Sequence, residues 1–407
     1  MPTRTYYYPK DFNHIREILN DSHDELNLAE FEKFSDSDIA PLLDINSLPS
    51  VLAISPRLIK MMGKNSSKHY RFFQIRKKSG KPRDIYAPRT YLKVVQWWIY
   101  DNILGRVQQP DHVFGFVKGR NIQQNAEYHF GAKHLLNVDI EDFFPTITRE
   151  MVIDIFIDLG YCREVSEQLS DICCLDGTLP QGAPTSPAIA NIVFSQADKE
   201  IASLSVDYGI KYSRYADDLS FSSTEFIPEK ILASLKSIVE TYGFQLKTQK
   251  TRFVGTGGQM EVTGLLINEV IQPKRTWRKK VRASIHQLSK KKRLSRRDIS
   301  YLYGIKGMCL SDRASYSMKK IGKSSEDLLT NYLLKKKNEP QNIEYPNGLT
   351  RTEANILLEL NAQTTNRNLA NMFFVSESTI KVHLRSVYKK IGVKKRKDAE
   401  QWANANL

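Results

Sequence analysis

The sequence predicts an α+β chain with a small all-α module at its C-terminal end. Three observations predict it. Residues 211–214 (Lys-Tyr-Ser-Arg) and 219–222 (Leu-Ser-Phe-Ser) are strand-like runs on either side of an Asp217-Asp218 turn. Residues 134–140 (His-Leu-Leu-Asn-Val-Asp-Ile) form an alternating strand that ends on Asp139. Beyond residue 348, apolar positions recur at helical spacing in four successive segments.

The elements follow one another along a chain of uneven charge. Residues 11–50 hold ten acids and only two bases, Arg16 and Lys33. Their apolar residues (Ile15, Ile18, Leu19, Leu26, Leu28, Phe31) are spaced as in helices, so residues 1–60 are expected to be a helical region on the main body. Residues 61–265 contain the strands. Residues 274–297 hold twelve Lys or Arg and no acid, with Trp277, Ile285 and Leu288 interleaved. A helix along a phosphate backbone suits that pattern better than a solvated tail, and 266–334 reads as one basic helical segment. Residues 335–348, with Pro340, Pro346 and Gly348, read as a linker to a module at 349–407.

Composition narrows the function. Of 407 residues 41% are hydrophobic and 10% aromatic, enough for a packed core and against a disordered or fibrous chain. No apolar run approaches the ~18 residues of a membrane span, and residues 1–10 lack a signal-peptide core, so no membrane partner is expected. Cys162, Cys173, Cys174 and Cys309 show neither metal nor disulfide spacing, which fits thiols in a reducing cytoplasm. Sixty bases against 45 acids give a net charge of +15, which points to nucleic acid.

Asp139 and the Asp217-Asp218 pair carry the sharpest chemistry. Carboxylates at the ends of adjacent strands can converge on two divalent ions. Such ions activate a 3′-type hydroxyl and neutralise the pyrophosphate leaving in an in-line phosphoryl transfer. Taken alone, an Asp pair signals only a turn. The surrounding blocks decide.

From Arg71 to about Lys320 the chain resembles a reverse transcriptase, with the family's blocks in order. Phe73 to Lys78 with Lys81-Pro82-Arg83 resembles the fingers. His112-Val113-Phe114-Gly115-Phe116 follows, then Val138 to Phe144, similar to the first palm motif. Leu179 to Pro187 resembles the template and nucleotide loop, Tyr215 to Asp218 the catalytic hairpin, and Gly243 to Thr251 the next palm motif. The resemblance implies a right-hand polymerase: fingers and a palm with an antiparallel sheet (61–265) and a helical thumb (266–334).

It also implies roles. Asp139, Asp217 and Asp218 would be catalytic and hold two Mg²⁺ (Mn²⁺ is the alternative), with the Ile140 backbone as an extra ligand. Arg83 and Lys77 or Lys78 would neutralise the triphosphate. Gln181 and Gly182 would let the backbone approach the nucleotide. Lys250 would protonate the leaving group, with a solvated lysine as the alternative. Phe144 would block a 2′-hydroxyl, with a core position as its alternative.

Two short blocks narrow the class. Asn125-Ala126-Glu127-Tyr128-His129 fits the N-A-x-x-H pattern of bacterial retron enzymes, and Val262-Thr263-Gly264 fits their V-T-G signature. The resemblance implies an enzyme that copies its own structured noncoding RNA, of msr-msd type, into branched RNA-linked DNA (msDNA). Synthesis would start from a guanosine 2′-hydroxyl, and the complex would serve in anti-phage defence, with an accessory effector protein as a possible partner. Asn125, His129, Thr263, Lys274, Arg275, Arg278, Lys279 and Arg282 are the expected RNA contacts. A packed histidine is the alternative for His129.

In the C-terminal module Ser376 can cap a third helix in which Ile380, Leu384, Val387 and Ile391 form one stripe and Lys381, Arg385 and Lys389 another. The segment resembles the LuxR-type helix-turn-helix, so Lys381, Val382 and Arg385 are expected to contact double-stranded DNA. Two other readings remain open: a DNA-binding regulator carrying a polymerase-like domain, and a template-free defence polymerase.

Overall fold

The computed structural model describes residues 11–22, 31, 33–35, 38–64, 66–76, 80, 82–291, 293–309, 315–338, 345–361, 364–373 and 375–407. They form two compact units, Met1–Ile271 and Gln272–Leu407.

In the first unit an antiparallel hairpin, β1 (Tyr70–Arg76) and β2 (Pro82–Pro88), precedes a four-stranded antiparallel sheet. The sheet consists of β3 (His134–Asp139), β4 (Lys211–Tyr215), β5 (Asp218–Ser223) and β6 (Arg252–Val254), in the order β4–β5–β3–β6. A short hairpin of β7 (Glu261–Val262) and β8 (Leu265–Leu266) follows. Because β3 is interior, Leu135, Leu136 and Val138 are all buried, so both faces are covered rather than one.

One hydrophobic core joins the sheet to its helices. Phe143, Phe194 and Phe244 meet at its middle, with Phe194 and Phe244 edge to face at 5.1 Å. The Phe12–Ser22 helix buries Ile15 and Leu19 in this core. Leu26 and Leu28, from the same expected helical region, lie outside the described residues.

The segment before the sheet explains its own glycine. Arg214 N donates to the His112 carbonyl and Phe114 N to the Arg214 carbonyl, each at 2.8 Å, so residues 112–114 lie against β4. A Cβ on Gly115 would then stand 2.9 Å from the Tyr215 carbonyl carbon, and closer still to Ala216 N. Only glycine admits the hairpin this near.

The second unit has two small cores. The helices Arg275–Ser289, Arg296–Cys309 and Tyr316–Asn338 enclose Val281, Ile285, Leu288, Leu302 and Ile321. The third helix overrides the linker expected from residue 335: Lys335 to Lys337 are good helix formers, and the first breaker is Pro340.

The helices Arg351–Leu358, Asn366–Phe373, Glu377–Ile391 and Arg396–Asn406 surround Ile356, Leu369, Ile380, Leu384 and Val387. Thr350 and Glu353 form a reciprocal capping box, and Ser376 Oγ accepts from Thr379 N at 3.1 Å. Such caps contribute about 1 kcal/mol each. Two bases of the 274–297 run tie the module to the three helices. Arg296 donates to the Met372 carbonyl at 2.6 Å and lies over the Phe373 ring, and Arg293 lies over Tyr345.

Candidate active site

The sheet register assembles the acids. β3 and β5 pair with Asp139 opposite Asp218, and Tyr215 and Asp218 close the β4–β5 hairpin around Ala216 and Asp217. Ala216 has φ +60, a conformation that two-residue hairpins usually give to glycine. Ile140 N donates to the Asp217 carbonyl at 2.9 Å, which binds the turn to the end of β3. One carboxylate oxygen from each of Asp139, Asp217 and Asp218 lies within 4.8 Å of the others.

These charges oppose one another. Desolvation together with the Asp217 and Asp139 carboxylates pushes Asp218 up to about 7. Desolvation also raises Asp217, with Asp139 adding and Lys250 and Arg83 opposing. Lys250 pairs with Asp139. Its partial burial works against the ammonium, but Asp139 and the two other carboxylates hold it above the ordinary lysine value. Three oxygen donors that repel one another fit a hard divalent cation. Glu141 and Asp142 are exposed, and Glu141 pairs with Lys247 at 3.6 Å.

A cavity of about 300 Å³ in the same unit is lined by Arg83, Trp97, Phe116, Phe144, Gln181 and Gly182, among others. Phe144 is half-buried, with its ring 6.1 Å from that of Phe116, which in turn lies 6.5 Å from Tyr215. Phe144 thus packs against the core with one side and lines the cavity with the other. Gly182 has φ +127, and a Cβ there would stand 2.8 Å from the Tyr86 carbonyl. Tyr86 N also donates to the Gln181 carbonyl at 2.8 Å. The backbone that approaches Gly182 is thus that of β2. Lys77 and Lys78 lie outside the described residues.

Compared with known proteins, residues 75–293 match the family described as "Reverse transcriptase (RNA-dependent DNA polymerase)". The chain belongs to the reverse transcriptase family. It is 36% identical over 251 residues to the retron Ec86 reverse transcriptase of Escherichia coli, covering 60% of this chain and 78% of that one. It is 34% identical over 239 residues to the retron Mx65 reverse transcriptase of Myxococcus xanthus, covering 54% and 56%. Among solved structures, telomerase from Candida albicans covers 84% of this chain and 68% of its own at a TM-score of 0.39 and 10% identity. Residues 347–403 match "Bacterial regulatory proteins, luxR family". The chain is thus a retron-type RNA-directed DNA polymerase joined to a LuxR-type domain, and its family uses divalent metal.

The expected RNA contacts of this reverse transcriptase differ in exposure. Arg275, Lys279 and Arg282 are exposed on one face of their helix, opposite Val281, Ile285 and Leu288. Lys274 and Arg278 are half-buried, and Arg278 donates to Ser317 Oγ at 3.2 Å. Asn125 and His129 are both buried inside the first unit, which is the packed alternative for His129 and speaks against an RNA contact by Asn125. Burial, with the charge of Lys211 adding, pushes the His129 imidazole down to about 3. Thr263 is half-buried, at φ +48, and donates to the Ile122 carbonyl.

In the LuxR-type domain Lys381, Val382 and Arg385 are exposed on the Glu377–Ile391 helix, with Val382 62% exposed. Phe116, Trp97 and the buried Arg214 carry no single-residue signal in the sequence. For Phe116 the Gly115-Phe116 step is the hint that the sequence carries.

Proposed function

We propose that this reverse transcriptase copies part of its own structured noncoding RNA, of msr-msd type, into branched msDNA, priming from a guanosine 2′-hydroxyl, and that the complex acts in anti-phage defence in the bacterial cytoplasm. The observation that carries the chemistry is the register that sets Asp139 against Asp218 with Asp217 in the adjoining turn. Asp139, Asp217, Asp218 and the Ile140 backbone would hold Mg²⁺, which supplies the activation of the attacking hydroxyl and the neutralisation of pyrophosphate. Arg83, Phe144, Gln181 and Gly182 share one cavity, which supports deoxynucleotide binding there. Lys250, already paired with Asp139, is the candidate acid for the leaving group.

The retron part of the reading is supported by the 36% identity to the Ec86 enzyme. The exposed bases Arg275, Lys279 and Arg282 would follow the RNA backbone. The LuxR-type domain would bind double-stranded DNA through Lys381, Val382 and Arg385. Sequencing the nucleic acid that copurifies with the full chain tests this function. One short RNA covalently joined to DNA is the expected recovery, and RNA and DNA recovered only as separate molecules would overturn it.

A further inference from the structure

His129 hydrogen-bonds to both strands of the hairpin that bears Asp217 in its turn and Asp218 at the start of β5. Its Nδ1 lies 2.7 Å from Ser222 Oγ on β5, and its Nε2 lies 2.7 Å from Ser213 Oγ on β4. Ser213 Oγ donates to Asn125 Oδ1 at 2.6 Å. A hydroxyl has one proton, so the Ser213 oxygen must accept from His129 Nε2–H, and Nδ1 must then accept from the Ser222 hydroxyl. A single neutral tautomer satisfies the whole chain of contacts. All four residues are buried.

The geometry makes this a test of register. In the β4–β5 pairing Lys211 faces Ser222 and Ser213 faces Ser220, so Ser213 and Ser222 stand diagonally, one step apart on a shared face. A slip of one residue would turn either serine to the other face and break its bond to the imidazole. The turn beyond them holds Ala216 in a conformation rare for a non-glycine residue, and such a turn persists only when its surroundings fix it.

The V-T-G turn is fastened to the same assembly. Thr263 Oγ1 donates at 3.1 Å to the carbonyl of Ile122, the first residue of the Ile122–Tyr128 helix that carries Asn125. Asn137 of β3 donates to the Glu261 carbonyl of β7 and accepts from Ser220 of β5.

We propose that the N-A-x-x-H and V-T-G signatures form one internal brace, in which Asn125 and His129 are positioning residues that hold β4 and β5 in register and so place Asp217 and Asp218 against Asp139. This rests on the reading of those aspartates as metal ligands. The brace acts on the catalytic turn and not on RNA affinity.

The test uses the full chain with His129→Leu, Ser222→Ala and the double variant, assayed well below their unfolding midpoints. Ser222→Ala removes one hydrogen bond and little volume, so it keeps the test open should His129→Leu fail to fold. On a primed RNA template the variants should lose about tenfold or more in kcat and need several-fold more Mg²⁺ for half-maximal rate, while KM for deoxynucleotide and Kd for RNA stay within about twofold. The two changes should be strongly non-additive, since they remove the same contact. Variants with the parent's kcat and Mg²⁺ requirement but weakened RNA binding would overturn the brace and return His129 to an RNA contact. A parent chain that makes no DNA in Mg²⁺ would instead fail the reading of the aspartates, and the brace with it.

Discussion

Arg214 and Asp198 form an ion pair with neither side chain exposed, directly behind the Ala216–Asp217 turn. Arg214 reaches both Asp198 oxygens, at 2.8 Å from Nε and 2.5 Å from Nη2. Its Nη1 donates to Asn191 Oδ1 at 2.9 Å and to the Ala216 carbonyl at 3.2 Å. Tyr212 donates its hydroxyl to Asp198 at 2.6 Å, and the Phe194 ring covers the guanidinium at 5.1 Å. A buried pair need not exceed an apolar substitute in stability, but leaving one charge without its partner is costly. Asp198→Ala should therefore destabilise the chain by about 3–5 kcal/mol in chemical denaturation. Asp198→Leu combined with Arg214→Met should lose less than Asp198→Ala alone. Equal losses would mean the charges do not compensate each other.

The three acids give the sharpest catalytic expectation. Asp217→Asn and Asp218→Asn each keep shape and remove a ligand charge. Each should lower Mg²⁺-dependent DNA synthesis by a factor on the order of 10³, while RNA binding changes little, because the basic helix is untouched. Primer extension and RNA titration on the same preparations check both halves. A variant that extends primers at the parent's rate would remove the assignment.

What could be read in advance follows from the range of the interactions involved. The β4–β5 hairpin and the four C-terminal helices rest on local signals, namely short alternating runs around a turn, apolar residues at helical spacing and Ser376 as a cap, and the structure has them. Lys335 to Asn338 read as linker because Pro340 and Pro346 dominate the composition there, whereas only residues near a proline feel its steric effect. Arg214 and Asp198 lie sixteen positions apart, and nothing in either residue type tells a buried arginine from a solvated one. The N-A-x-x-H motif named residues worth attention without saying which way they face. His129 turns inward because two strand serines there can satisfy both of its nitrogens.

Phe144 bears on sugar selection. Its ring lines the cavity beside Phe116 and Gln181 without being sealed into the core. Phe144→Ala should raise ribonucleotide use relative to deoxynucleotide use by about 10–100-fold in kcat/KM, since discrimination by a clash is a difference in transition-state binding. Steady-state kinetics with both nucleotide classes measure it. An unchanged ratio would make the ring a packing element only.

Glu353 makes the C-terminal domain sensitive to acid. Desolvation pushes its carboxyl up, but Lys390 at 2.7 Å, Ser386 at 2.6 Å and the Thr350 N–H outweigh it and hold the group at about 2. A depressed folded-state value means the unfolded chain binds the proton first. The contribution is therefore complete at neutral pH and is lost as pH falls from about 4.5 toward 2. Glu353→Gln should speed amide exchange in the Arg351–Leu358 and Glu377–Ile391 helices at pH 7. The gap from the parent should narrow steadily as the pH is lowered from 5 to 3. A gap independent of pH would mean the carboxylate is replaceable by any hydrogen-bonding group.

The Glu377–Ile391 helix of the LuxR-type domain has one packed and one outward face. On the Glu377–Ile391 helix Ile380, Leu384 and Val387 are buried, and Lys381, Val382 and Arg385 point to solvent. The one intrahelical pair on this face, Lys381 with Glu377 at 3.6 Å, joins two exposed side chains and holds the lysine only weakly. Both bases are therefore available to phosphates or base edges. Each phosphate contact removed should lower the slope of log Kd against log salt by about one unit. Lys381→Ala with Arg385→Ala in the full chain should then bind duplex DNA with a slope smaller by about two units than the parent, leaving DNA synthesis on a primed RNA template intact. Val382→Ala should change preference among DNA sequences more than it changes the slope, since an apolar side chain can meet a thymine methyl but neutralises no phosphate. Parallel slopes for parent and double variant would place the DNA-binding face elsewhere. Loss of binding to a branched RNA–DNA product alone, with duplex binding unchanged, would make this helix a contact for the enzyme's own product.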